Sequence, residues 1–121
     1  MSLLHWLTRN WADTDEPGDA ALTPPELKQP PAEALRHAEA VIRRLPRWQV
    51  EASDAAAGTL HATRRTRLWR FVDDVRLRLE PIPGGVRVHA RSQSRLGKGD
   101  FGQNRRNLLE LFAVLRGGSA R

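Results

Sequence analysis

The sequence predicts an α+β domain: a helix, a four-stranded, mainly antiparallel sheet and a C-terminal helix, with both helices packed on one sheet face. Three observations predict it. PAEALRHAEAVIRRL repeats apolar residues every three or four positions. LWRFVDDVRLRLEP and GVRVHARSQS alternate apolar and polar residues on either side of a turn, and NRRNLLELFAVL returns to helical spacing. A sheet with one apolar face needs a cover, and two amphipathic helices supply one. At 121 residues, a single domain is the natural unit.

The elements follow in order. Residues 1–30 read as an N-terminal arm or linker, because ADTDEPGDAALTPPELKQPP is dominated by proline, glycine and acids. The domain spans 31–117, and 118–121 form a flexible tail. Pro31 opens the first helix, Ala34, Leu35, Ala38, Val41, Ile42 and Leu45 line its apolar face, and Pro46 stops it. RWQVEASD and TLHATRRT form a hairpin across AAAG, with Trp48 and Val50 on one face and Leu60 and Ala62 on one face. In the third strand Phe71, Val75, Leu77 and Leu79 point inward, and Asp73 with them. In the fourth Val86, Val88, Ala90, Ser92 and Ser94 do so. A loop over 81–84 then sets Leu79 opposite Val86, Leu77 opposite Val88, Val75 opposite Ala90 and Asp73 opposite Ser92. On the outer face Asp74 meets Arg91 and Arg76 meets His89. Leu108, Leu109, Leu111, Phe112 and Leu115 are the apolar side of the closing helix, which Gly117 and Gly118 end.

Composition narrows the chemistry. Cysteine is absent, which removes disulfides, iron–sulfur ligation and thiol nucleophiles. His5, His37, His61 and His89 are too far apart to read as a metal motif, so neither metal nor cofactor is expected. MSLLHWLTRNW lacks the basic and long apolar regions of an export signal, and no run approaches the ~20 apolar residues of a spanning helix. The expected compartment is therefore the cytoplasm. Charge is uneven: residues 1–58 carry 6 basic and 9 acidic side chains, residues 59–121 carry 14 and 5. The second half should attract anions.

The polar stretch RSQSRLGKGDFGQNRR is the candidate site. Asp73, Ser92 and Ser94 stand where the strand pattern calls for apolar residues. One reading of these positions is a buried network that ties the sheet to the following loop; the other makes them, together with Arg95, Asn104 and Arg105, the candidate ligand-binding set, since guanidinium groups grip carboxylate or phosphate in bidentate fashion. Arg105 in the first turn of a helix calls for a nearby anion. Asp74, Arg91 and Asp100 are the accompanying structural network, with Arg91 pairing to Asp74, Arg95 clamping Asp100 and Asp100 capping the helix. LGKGDFG is neither a Walker motif nor a dinucleotide fingerprint, and the D-F-G triplet stands without the rest of a kinase.

FVDDVRLRLEP and RSQSRLGKGDFGQNR together resemble the family called domain of unknown function 1499, found in bacteria and plastid-bearing eukaryotes. The family pattern is matched by Asp73 and Asp74, and by Arg91, Ser92, Ser94, Arg95, Gly97, Asp100, Gly102, Asn104 and Arg105. The resemblance covers about residues 32–116. Members often carry a proline–asparagine–cysteine segment before the first helix, where this chain has ELKQPP. Many also carry a leader, lipid anchor or membrane segment that is not read here. The family implies a fold but no reaction.

Function is therefore read from the residues. The first reading is a small non-enzymatic domain that binds an anionic or polar ligand, or a protein partner, through the polar and arginine cluster. The second is nucleic-acid binding through Arg64, Arg65, Arg67 and Arg70, with Trp69 available for stacking and Phe71 buried by strand periodicity. The third is a hydrolase-like enzyme with Asp73 or Asp100 as base. An exposed edge strand also leaves room for a homo-oligomer.

Overall fold

The computed structural model describes residues 11–15, 18–65, 71–95 and 102–117. It contains six strands: β1 (Trp11–Asp13), β2 (Glu26–Leu27), β3 (Trp48–Asp54), β4 (Thr59–Arg65), β5 (Val72–Ile82) and β6 (Gly85–Ser94). Helix α1 (Pro31–Arg44) precedes the β3–β6 meander, helix α2 (Gln103–Leu115) follows it, and a 3-10 turn (Ala20–Leu22) lies between β1 and β2. The sheet runs β1-β6-β5-β4-β3, with β2 also on β6. All pairings are antiparallel.

The expected four-stranded sheet is thus corrected to six. The two extra strands come from the proline-rich N-terminal segment, whose lack of alternation hides them. Trp11–Asp13 lies along Arg91–Gln93, and Glu26–Leu27 lies along Val86–Arg87. Each is too short to show a period of two. Ala12, Leu22 and Leu27 from this segment enter the core.

The hairpin register is also corrected, by two residues. Leu79 opposes Val88, Leu77 opposes Ala90, Val75 opposes Ser92 and Asp73 opposes Ser94. The strands continue to Ile82 and Gly85, so only Pro83 and Gly84 form the loop, with Gly84 at φ +82°. Tight two-residue hairpin turns need such left-handed residues. Pro81 is tolerated inside the ladder because its missing N–H falls on the side where Leu79 N–H bonds Gly58, beyond the end of β4. A shift of two keeps every side chain on its expected face.

Both helices cover the face carrying Leu60, Ala62, Val75, Leu77, Val86 and Val88. These residues form one core with Leu35, Ala38 and Ile42 of α1 and Leu108, Leu111, Phe112 and Leu115 of α2. His37 Nε2 lies 3.2 Å from the Leu115 carbonyl, tying helix to helix. Trp48 Nε1 donates to Glu110 at 2.6 Å and ties β3 to α2. Phe71, expected to be buried, is 43% exposed; it lies one residue before β5, outside the described ladder with β4. Among the described residues no helix lies on the opposite sheet face.

Candidate functional site

The polar positions of β5 and β6 meet the first turns of α2. Asp73, Ser92, Asn104 and Asn107 are all buried. Ser92 Oγ donates to Asn104 Oδ1 at 2.6 Å, and Asn104 Nδ2 donates to Ser94 Oγ at 2.8 Å. Asn107 Nδ2 donates to Asp73 Oδ2 at 2.8 Å and to Ser92 Oγ at 3.1 Å. Gln103 Nε2 donates to Asn107 Oδ1 at 2.7 Å. Buried polar groups need such partners, and each bond made here removes a desolvation cost. Asn107 was missed by sequence reasoning. Its signal was there: it falls three residues after Asn104, hence on the same helix face, where a leucine would otherwise sit.

The arginines of the set are held by acids of the chain. Arg95 grips Asp74 with two bonds of 3.0 Å, from Nε to Oδ2 and from Nη2 to Oδ1. His61 Nε2 donates to the same carboxylate at 2.7 Å. The Arg95 hydrogen bond, helped by His61 and opposed by partial burial, holds the Asp74 carboxyl down at about 2. Asp74 is therefore a poor proton acceptor near neutrality. Arg105 Nε donates to Asp19 Oδ2 at 2.8 Å, so the anion that its place in the first helical turn requires comes from the N-terminal arm.

Arg91 does not pair with Asp74 as expected, because the register puts Gln93, not Arg91, opposite Asp74. Its Nη1 donates to Asp13 of β1 at 3.1 Å, and its guanidinium lies 4.6 Å from the Trp11 ring centroid. The expected cap and clamp roles of Asp100, and the basic residues Arg67 and Arg70 with Trp69, lie outside the described residues. Gly102 occupies the N-cap position of α2 and makes no side-chain cap bond.

The open face of the sheet is a second feature that sequence reasoning did not single out. A cavity of about 550 Å³ lies across it. Antiparallel register builds its floor in rows. One row runs Asp13, Arg91, Arg76, His61, Ala52 from β1 to β3. The next runs His89, Arg78, Thr59, Asp54 from β6 to β3. Outward along β5 the order is Asp74, Arg76, Arg78, Glu80. Both acids are taken: Asp74 by Arg95 and His61, Glu80 by His89 at 2.9 Å and Arg87 at 3.3 Å. His89 holds the Glu80 carboxyl below its usual range, with Arg87 adding to the effect. His89 also reaches Asp15 at 3.1 Å through Nδ1.

Arg76 and Arg78 are exposed. Among the described residues no acid pairs with either. The signal was present in the alternation DDVRLRLE, which sets two arginines on one face. Only the register shows that both flanking acids are engaged elsewhere.

Among the described residues no group of three or more His, Asp or Glu side chains could hold a metal ion, and no helix is long and apolar enough to cross a membrane. A family model described as a protein of unknown function (DUF1499) matches residues 8–115. No curated protein and no solved structure matches the chain.

Proposed function

The chain belongs to the DUF1499 family, and on that premise we propose that it is a non-catalytic binding domain that takes an anionic group on the open face of its sheet. The observation that carries this reading is the pair Arg76 and Arg78, exposed on that face with both neighbouring acids committed to other cations. Unpaired guanidinium groups over a cavity are ready donors for carboxylate or phosphate. The polar set of Asp73, Ser92, Ser94 and Asn104 serves as the frame: its buried members bond to one another and to Asn107. A ligand at Arg95 or Arg105 would have to displace Asp74 or Asp19, so these arginines are assigned to the frame as well.

The test is an amide NMR titration of the full chain with inorganic phosphate at low ionic strength. Saturable shifts centred on His61, Arg76, Arg78 and His89, lost in the Arg76→Gln/Arg78→Gln variant, are expected. Shifts that never saturate, or that centre on α2 instead, would refute the assignment.

A further inference from the structure

We infer that the open face takes a compact ligand carrying two oxyanion groups, one for each of Arg76 and Arg78. This rests on the anion-binding reading above and narrows it to a chemical class. Residues two apart on a strand share a face and stand ~6.5–7 Å apart along it. Each guanidinium offers its own fork for one phosphate or carboxylate. A diphosphate or a short dicarboxylate spans that interval, whereas a single small oxyanion engages one fork at a time.

The neighbours of the pair reinforce the choice of a dianion. Arg76 stands directly between Arg91 on β6 and His61 on β4, and Arg78 stands beside His89. Like charges placed opposite each other across strands are unfavourable. Arg76 and Arg91, both cationic and directly opposed, therefore repel each other, and incoming negative charge relieves that repulsion. Arg91 is already balanced by Asp13, and His89 lies between Asp15 and Glu80, so the charge left to satisfy belongs to Arg76 and Arg78.

Acids bound the cavity at both ends: Asp13 and Asp15 on the β1 side, Asp54 on the β3 side. A polyanion laid across the strands would set its outer phosphates against them. A compact dianion places its charge only at the centre. The volume, about 550 Å³, is that of a small-molecule site. Ala52 and Thr59 at the β3 end are short side chains and leave room for a neutral remainder of the ligand.

The experiment is isothermal calorimetry of the full chain at constant ionic strength with four probes: inorganic pyrophosphate, succinate, inorganic phosphate and a single-stranded oligothymidylate. Pyrophosphate or succinate should bind at least ~10-fold more tightly than phosphate, and which of the two does so identifies the source of the oxyanions. Arg76→Gln or Arg78→Gln alone should bring the dianion down to the level of phosphate. Arg65→Gln, an exposed change outside the cavity, should leave it unchanged, and all variants should keep the parent melting midpoint. Equal affinities for phosphate and both dianions would overturn the two-group inference and leave the anion-binding reading standing. Tighter binding of the oligonucleotide, with steep salt dependence, would overturn it in favour of a polyanion surface. No binding of any probe would overturn both.

Discussion

Asn107→Ala tests whether the buried polar network holds the fold. Asn107 is fully buried and makes three bonds: to Asp73, to Ser92 and from Gln103. Gln103 is half-buried and regains water when the partner is lost. Asp73 and Ser92 each lose a donor where water does not reach. A buried acceptor left short of a bond costs about 1–3 kcal/mol, so the two together cost about 3 kcal/mol. Alanine returns about 0.5 kcal/mol through its better helix propensity. The net expectation is a loss of about 2–3 kcal/mol. In urea, with a slope of about 1.5 kcal/mol per molar for a chain of this size, the midpoint should fall by ~1.3–2 M at unchanged slope. Asn107→Leu restores the volume without the donor and should rescue little. A midpoint shift below ~0.5 M for the alanine variant, or full rescue by leucine, would show that packing alone holds this corner and that the hydrogen bonds are incidental.

Two further outcomes follow from the same structure. A methyl group at residue 85 would overlap the carbonyl oxygen of Leu27, so Gly85→Ala should push β2 off β6, cost about 2 kcal/mol, and speed exchange of the Val88 amide that bonds to Pro25. Asp74 is held at about 2 in the folded chain against 3.8 unfolded; a depressed carboxyl stabilises above its unfolded value and loses that stability as pH falls through the folded one. Unfolding free energy should therefore drop by about 1–2 kcal/mol across that interval, the figure being reduced because Arg95 is largely exposed. Asp74→Asn should flatten that part of the profile in an acid titration followed by circular dichroism.

Much of this was legible in the chain because it is periodic. Alternation from Val75 to Leu79 and from Val86 to Ala90 assigns inward and outward positions correctly, and a register error of two leaves that assignment intact. Helical spacing located α1 and α2. Asp73 and Ser92 stood out as polar letters in an apolar pattern and do sit in the core. What was not legible depends on pairings between distant segments. Asp13, Asp19 and Leu27 find their partners more than fifty residues away, and nothing local in a three-residue strand announces that. The same holds for Arg76 and Arg78: their lack of an acid becomes visible only when Asp74 and Glu80 are seen to be occupied.

The way the N-terminal segment lies along β6 has a consequence for self-association. Among the described residues β1 and β2 give that side of the sheet a margin only three and two residues long, too short a template for another chain to extend. β3, on the far side, is seven residues long and exposed over most of its length. Among the described residues the sheet thus has a valence of one. A copy that adds along β3 uses up, in both molecules, the one long margin found among the described residues, an arrangement that closes as a two-fold pair and does not extend as a filament.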